Sequence, residues 1–298
     1  GTDNVSVGSH SLDANTTGDG NTAIGDNALG ANTTADNNTA VGVNGLRENT
    51  TGHSNTAVGA YALDAATNAN YNTAVGFNAS TAMTGGSQNT AVGSSAGASI
   101  TTGNYNTALG VDAVSSLTTG SYNTGLGKTA LGVNTADNNT GVGYFALAAN
   151  TTGTENVAVG KGAADVNTTG NANTALGYNA LGANTTAHNN TAVGGGSMGA
   201  NTTGAANTAV GQGSLAANTT ASNNTAVGKA ALTANTTGDY NNAVGATALD
   251  ANTTGLRNQA FGYSALGANT EGDYNVAIGH ACLQDNTTGE KNVAVGNH

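Results

Sequence analysis

Seventeen carboxylates and five histidines are the side chains of this chain with the widest chemical reach. Two acids held close together would do acid–base work on a glycosidic bond. Histidines at short spacing would hold a metal. The thirteen Asp and four Glu are instead scattered. Asp19, Asp36, Asp239, Asp273 and Glu290 fall in polar turns, and Asp13, Asp64 and Asp250 follow a short apolar stretch, which is how solvated turn residues are distributed. His10, His53, His188, His280 and His298 lack metal-ligand spacing. The calcium pattern G-G-x-G-x-D is missing, and so is a glycine loop between strand and helix that would cradle phosphate. Cys282 has no partner in the chain for a disulfide and stands where other copies of a repeat carry Ala. The expectation is a protein that is not an enzyme, with no catalytic, metal or cofactor residues.

Two residue sets keep a possible surface role. Tyr71, Tyr105, Tyr122, Tyr240 and Tyr274 recur at one phase of the repeat. They read either as packing that shields turns or as sugar-stacking aromatics on an adhesive surface. Asn15, Asn32, Asn49, Asn150, Asn167, Asn184, Asn201, Asn218, Asn235, Asn252 and Asn286 match N-x-[ST], the glycosylation acceptor pattern. A ladder of stacked turn amides explains the same residues.

The elements that would position these groups follow from the repeat. "NTAVG" stands at residues 38–42 and returns, with variants, from Asn4 to Asn292 at steps of 17 residues. One step, Asn123 to Asn139, is 16, with a Thr missing from the turn. Numbered from that Asn, the consensus is N-T-A-V-G-x-x-A-L-x-A-N-T-T-G-x-x. Position 5 is Gly in all eighteen copies. The chain, 1–298, reads as a single continuous array, and it begins and ends inside the pattern like an excerpt of a longer fibre.

Composition limits what such an array can be. There are 46 Gly, no Pro, no Trp and 8% charged residues, so a thick globular core is out of reach. The net charge of −11 opposes nucleic acid as a partner, which needs clustered Lys and Arg. No apolar run approaches membrane-spanning length. Seventeen residues rich in Gly and β-branched types suit one coil of an all-β parallel β-solenoid, or β-roll. The expected coil has two short strands, T-A-V and x-A-L, on either side of a Gly bend, with N-T-T-G as the return turn. Seventeen coils at roughly 4.8 Å each would span about 80 Å.

Within the coil, positions 4 and 9 are expected to form the apolar spine and Asn at positions 1 and 12 to form amide ladders. The Ala columns at positions 3 and 8 would then face another chain, giving a homo-oligomer for which threefold symmetry suits a rod. The return turn carries Gly at position 15 in twelve copies and Ala in five, and four of those five have Asn at position 17 (Asn37, Asn138, Asn189 and Asn223). A left-handed residue that moves from 15 to 17 when Gly is lost would explain this.

The array of "NTAVG", "AL" and "NTTG" resembles repeats of bacteriophage tail-fibre and bacterial surface-fibre proteins, over the whole chain. It is also similar to the heads of trimeric autotransporter adhesins (YadA-like), whose A-[VI]-G repeats are shorter. The resemblance implies a left-handed trimeric rod, an extracellular place on a virion or cell surface, and a cell-surface glycan or protein receptor. The function expected is a rigid structural or adhesive fibre segment. The alternatives are a single-chain or glycosylated self-assembling extracellular filament, and an ice-binding solenoid, for which Thr at positions 2, 13 and 14 would order water.

Overall fold

A computed structural model describes residues 1–297; His298 lies outside the described residues, as does its part in the histidine reading. Two compact units, Gly1–Thr152 and Gly153–His298, carry the same repeat. The first holds nine three-residue strands, from Val5–Val7 to Thr140–Val142, and the second nine, from Val157–Val159 to Val293–Val295. Within each unit consecutive strands pair in parallel, identical position on identical position. Thr39, Ala40 and Val41 face Thr56, Ala57 and Val58, and Thr191 faces Thr208. The fold is a β-solenoid with one coil per repeat. Nine coils rise about 40 Å at ~4.8 Å each.

Each coil bends at position 5, and only Gly fits there. Gly211 has φ +135°, and a Cβ on it would lie 2.4 Å from the Gly228 carbonyl oxygen of the next coil. Backbone torsion and close approach therefore both exclude a side chain.

The second expected strand is absent. Positions 7 and 9 are left-handed in the coils of both units: Asn27 has φ 56°, Leu29 51°, Leu181 53° and even Val114 53°. This stretch still pairs from coil to coil. Asn27 N–H donates to the Ser9 carbonyl one coil back (2.9 Å), and Leu29 and Ala31 donate to the Gly45 and Arg47 carbonyls one coil on (3.0 and 2.9 Å). A strand sends successive side chains to opposite faces. The left-handed residues let the neighbours Ala28 and Leu29 both point inward, each at 0% exposure.

The core also differs from the expected spine. Ala23, Ala40 and Ala57 at position 3 are fully buried, as are Ala28 and Ala62 at position 8 and Leu29, Leu46 and Leu63 at position 9. Position 4 looks outward: Ile24 is 40% exposed, Leu109 42% and Leu176 45%. Strand alternation gives the reason. With position 3 inside, positions 2 and 4 must be outside. A coil this narrow has room for one large side chain, Leu at position 9, packed against Ala. The Ala columns thus line the coil's own interior, and the outward apolar column is position 4.

Buried Asn ladders complete the core. At position 12, Asn49 Nδ2 donates to Asn32 Oδ1 of the preceding coil (3.0 Å) and to the Gly52 carbonyl (2.8 Å). At position 1 the ladder runs from backbone to amide: Asn38 N–H donates to Asn21 Oδ1 (2.9 Å), while Asn38 Nδ2 donates to the Gly52 carbonyl (2.8 Å). Pairing these amides removes the cost of burying them, ~1–3 kcal/mol for each group left alone.

Three coils exchange the two core positions. Where position 9 is Ser80, Gly97 or Val114, position 12 is Met83, Ile100 or Leu117, all three buried. Ile100 Cδ1 would stand 3.0 Å from a Cβ on Gly97, so it occupies the space that Leu fills elsewhere. Gly97→Leu alone should overpack this coil by about 1–3 kcal/mol, and Ile100→Asn alone should open a void. The double variant restores the consensus pair and should be more stable than the sum of the two by ~1 kcal/mol or more. Urea titrations that gave additive effects would contradict the exchange.

The 16-residue coil keeps its register, with Thr124 opposite Thr140 and Leu126 opposite Val142. The lost residue is absorbed in the turn, where Asn134 joins the two ladders: its Nδ2 donates to Asn123 Oδ1 (3.1 Å) and its Oδ1 accepts from Asn139 Nδ2 (3.2 Å). In the return turn Asn37, Asn138, Asn189 and Asn223 are left-handed, φ 59–61°. So is Tyr71 at the same position (58°), opposite a coil without that Asn, and position 15 is never left-handed. The left-handed residue does not migrate. Gly at 15 answers a different need, since a Cβ on Gly52 would lie 2.3 Å from the Ala69 carbonyl oxygen.

Candidate interaction surfaces

Positions 2 and 4 of every strand point out of the sheet. Position 2 is Thr in twelve copies, and position 4 is Val, Ile or Leu in all but Phe261. Neither column holds an ionisable side chain. The columns stand roughly 7 Å apart and repeat every ~4.8 Å, so each unit carries a strip of about 300 Å². In the second unit the Thr column is interrupted by Asn242 and Gln259, whose amides bond to one another (2.7 Å).

Charge lies off this strip. The turn acids are not merely solvated. At position 16, Asp36 Oδ1 accepts Asp19 N–H (2.7 Å), Asp239 accepts Ser222 N–H (2.7 Å) and Asp273 accepts Leu256 N–H (2.8 Å). Asp19 does the same for Thr2, whose backbone N–H and hydroxyl hold its carboxyl below the usual range.

At position 10, Asp64, Asp165 and Asp250 are half-buried, while Asp13 in the first coil is exposed. Burial pushes the carboxyls of Asp64, Asp165 and Asp250 up. Arg47, one coil away, opposes the shift at Asp64, with Nε 3.1 Å from Oδ1 and a second nitrogen 3.3 Å from Oδ2. At Asp250 burial is opposed only by hydrogen bonds from the backbone of Asp250 and Ala251. Its folded pKa lies above the ordinary 3.8, so protonation favours the folded state and the contribution is lost as pH rises through the folded value. Asp250→Asn should therefore raise the melting temperature at pH 7. That gain should shrink as the pH falls through the folded value and vanish below 3.8, where Asp250 is protonated in both states. Melting curves across pH test it, and a gain that persists unchanged in acid would refute the burial cost.

Asp165 borders a shallow depression of about 470 Å³ with Asn179, Gly182, Gly196 and Gly199. Glycines leave it open, and Asp165 is the one acid in its lining. Paired-acid chemistry of the glycosidase kind needs a second carboxyl. Among the described residues no group of three or more His, Cys, Asp or Glu is placed to hold a metal. His188 Nδ1 instead accepts Asn171 N–H (2.9 Å), and His53 packs edge-on against Tyr71 at 4.9 Å. Cys282 is buried.

No family model matches the chain, and no curated protein matches it. Its own surfaces carry the functional reading. The five position-17 tyrosines are exposed, from 43% at Tyr274 to 59% at Tyr122. Tyr105 and Tyr122 stack on each other, centroids 5.1 Å apart and planes 4° from parallel. Arg257 lies between Tyr240 and Tyr274, 5.5 and 5.3 Å from their centroids. The ring faces of Tyr105, Tyr122, Tyr240 and Tyr274 are thus turned toward neighbouring coils. A sugar stacks on a ring face, so this arrangement favours packing along the turn edge. Tyr263 and His280, at position 6, stack in the same way.

The Asn-Thr-Thr amides point inward. Asn32, Asn49, Asn150, Asn167, Asn184, Asn201, Asn218, Asn235 and Asn252 are buried, and Asn15 and Asn286 are half-buried. A glycan on Nδ2 would replace a hydrogen that bonds inside the coil, as at Asn218, whose Nδ2 donates to Asn201 Oδ1 (2.7 Å). The position-12 ladder accounts for these residues. Sequence reading missed the strip itself, although strict Thr-Ala-Val alternation was its signal. Among the described residues no helix is long and apolar enough to cross a membrane.

Proposed function

We propose that the chain is a non-catalytic segment of an extracellular fibre, a phage tail-fibre shaft or a surface-adhesin head, assembled from copies packed through the Thr/Val strip. The uncharged strip is the observation that supports this. A chain with net charge −11 keeps every ionisable group off these two columns in each unit. One unit's strip, about 300 Å², already reaches the range of the largest patches of ordinary monomers, about 300–600 Å². Copies of this chain are the occupant that fits, because the strip is uncharged and repeats the same two side-chain columns at every coil. The threefold form rests on the resemblance to fibre repeats.

Sedimentation tests the reading on this segment. The chain mass is 28.6 kDa, and the expected species is elongated with three times that mass. Val193→Asp with Val210→Asp, both on the strip, should release folded monomers with unchanged circular dichroism. A wild-type monomer at micromolar concentration would overturn the assembly. It would favour a second reading, supported by the regular Thr and Val columns: a free strip that orders water and binds ice, detectable as thermal hysteresis.

A further inference from the structure

The geometry points to Tyr105 and Tyr122 as a site of oxidative cross-linking, where a one-electron oxidant of the peroxidase class joins two neighbouring coils through a dityrosine bond. The pair stands apart from the Thr/Val strip, and the inference does not depend on how copies assemble.

The ring arrangement carries the inference. Tyr105 and Tyr122 occupy position 17 of consecutive coils, 17 residues apart. Both are left-handed, φ 58° and 61°, and their backbones are pinned by N–H bonds to the Ser87 and Asn104 carbonyls, 3.2 and 3.0 Å. Their side chains are 50% and 59% exposed, so both phenols are open to an oxidant in solution. With centroids 5.1 Å apart and planes 4° from parallel, the two rings are held face to face on consecutive coils. Among the described residues this is the one Tyr–Tyr ring contact. Tyr71 meets His53, Tyr61 meets Phe77, Tyr144 meets Phe145, and Tyr240 and Tyr274 meet Arg257.

The chemistry balances with hydrogen peroxide as the terminal oxidant. Each phenol gives up one electron and one proton and becomes a phenoxyl radical. The two radicals couple through the ring carbons ortho to their oxygens, forming one C–C bond. The hydrogens on those carbons then move to the oxygens and both rings regain aromaticity. Peroxide takes the two electrons and two protons and leaves as two waters. The product closes a covalent loop of one coil at an edge otherwise held by hydrogen bonds. It would staple adjacent rungs against unravelling.

Folded protein treated with a haem peroxidase and hydrogen peroxide tests this by dityrosine fluorescence and peptide mapping. The expected result is one dominant cross-link, between Tyr105 and Tyr122 of the same chain, with the loss of two hydrogens. Tyr122→Phe keeps the ring stack and should remove at least nine-tenths of that product, whereas Tyr71→Phe should leave it intact. Urea-unfolded protein should lose the selectivity. Cross-links spread over other tyrosines, bonds mainly between chains, or an undiminished yield in Tyr122→Phe would each overturn the assignment.

Discussion

Gly211→Ala is expected to unfold several coils of the second unit, with a loss of more than about 4 kcal/mol, the size reserved for a named severe defect. Gly211 has φ +135°, and a new Cβ would meet the Gly228 carbonyl oxygen at 2.4 Å, its carbon at 2.6 Å and Lys229 N at 3.0 Å. All three are backbone atoms, so no side chain can move aside. Relief requires the two coils to separate. Separation strains the bonds from Gly228 N–H to the Val210 carbonyl (2.8 Å) and from Thr208 N–H to the Asn224 carbonyl (2.8 Å). Gly213→Ala is the control two residues away. Gly213 has φ +66° and nothing within 4 Å of a Cβ. At the same position of the next coil, Ala230 already adopts φ 56°. That change should cost only about 1–2 kcal/mol, the strain of one L-residue in the left-handed region. Thermal melts of the two variants decide the matter, and similar melting temperatures would refute the account of the bend.

Leu181→Asp should be comparably severe. Leu181 is fully buried, and the position-9 residues of the flanking coils, Ala164 and Met198, are buried too. A carboxylate there would have no cation and would sit among Ala side chains such as Ala175 and Ala180. The coil must open to hydrate it or the group must stay protonated. Each coil is held mainly by its neighbours, so the damage should spread along the stack. Hydrogen exchange should show protection lost over coils on both sides of residue 181. Asp239→Asn is the contrast: Asn retains an oxygen to accept the Ser222 N–H, and the change should fall within about 0.5 kcal/mol. Equal destabilisation by the two substitutions would sink the assignment of the core.

Some of this was legible in the residues and some was not. The 17-residue coil, the parallel register, the Gly bend and the position-12 amide ladder are all visible as recurrence. Stacking explains that: each level of a solenoid needs the same contacts, so the same residue returns at the same phase. The missing Thr before Ala136 is legible for the same reason, since a deletion in a turn leaves Thr124 and Thr140 in register.

Which way the apolar columns face was decided by tertiary structure. Ala at position 3 and Val at position 4 are both apolar, and the pattern does not say which is inside. The bulkier Val looks like core, but the coil is too narrow for both Val and Leu, so Ala went in and Val went out. The left-handed backbone at positions 7, 9 and 17 was hidden as well, because residues as unlike as Leu29, Val114 and Tyr71 adopt it. Coil-to-coil hydrogen bonds impose that conformation against local preference, which favours Gly or Asn. The sequence by itself determined the repeat and its stacking, because those are periodic. The tertiary structure decided the facing of the Thr/Val strip and of the tyrosine rings, because both depend on the space one coil leaves for the next.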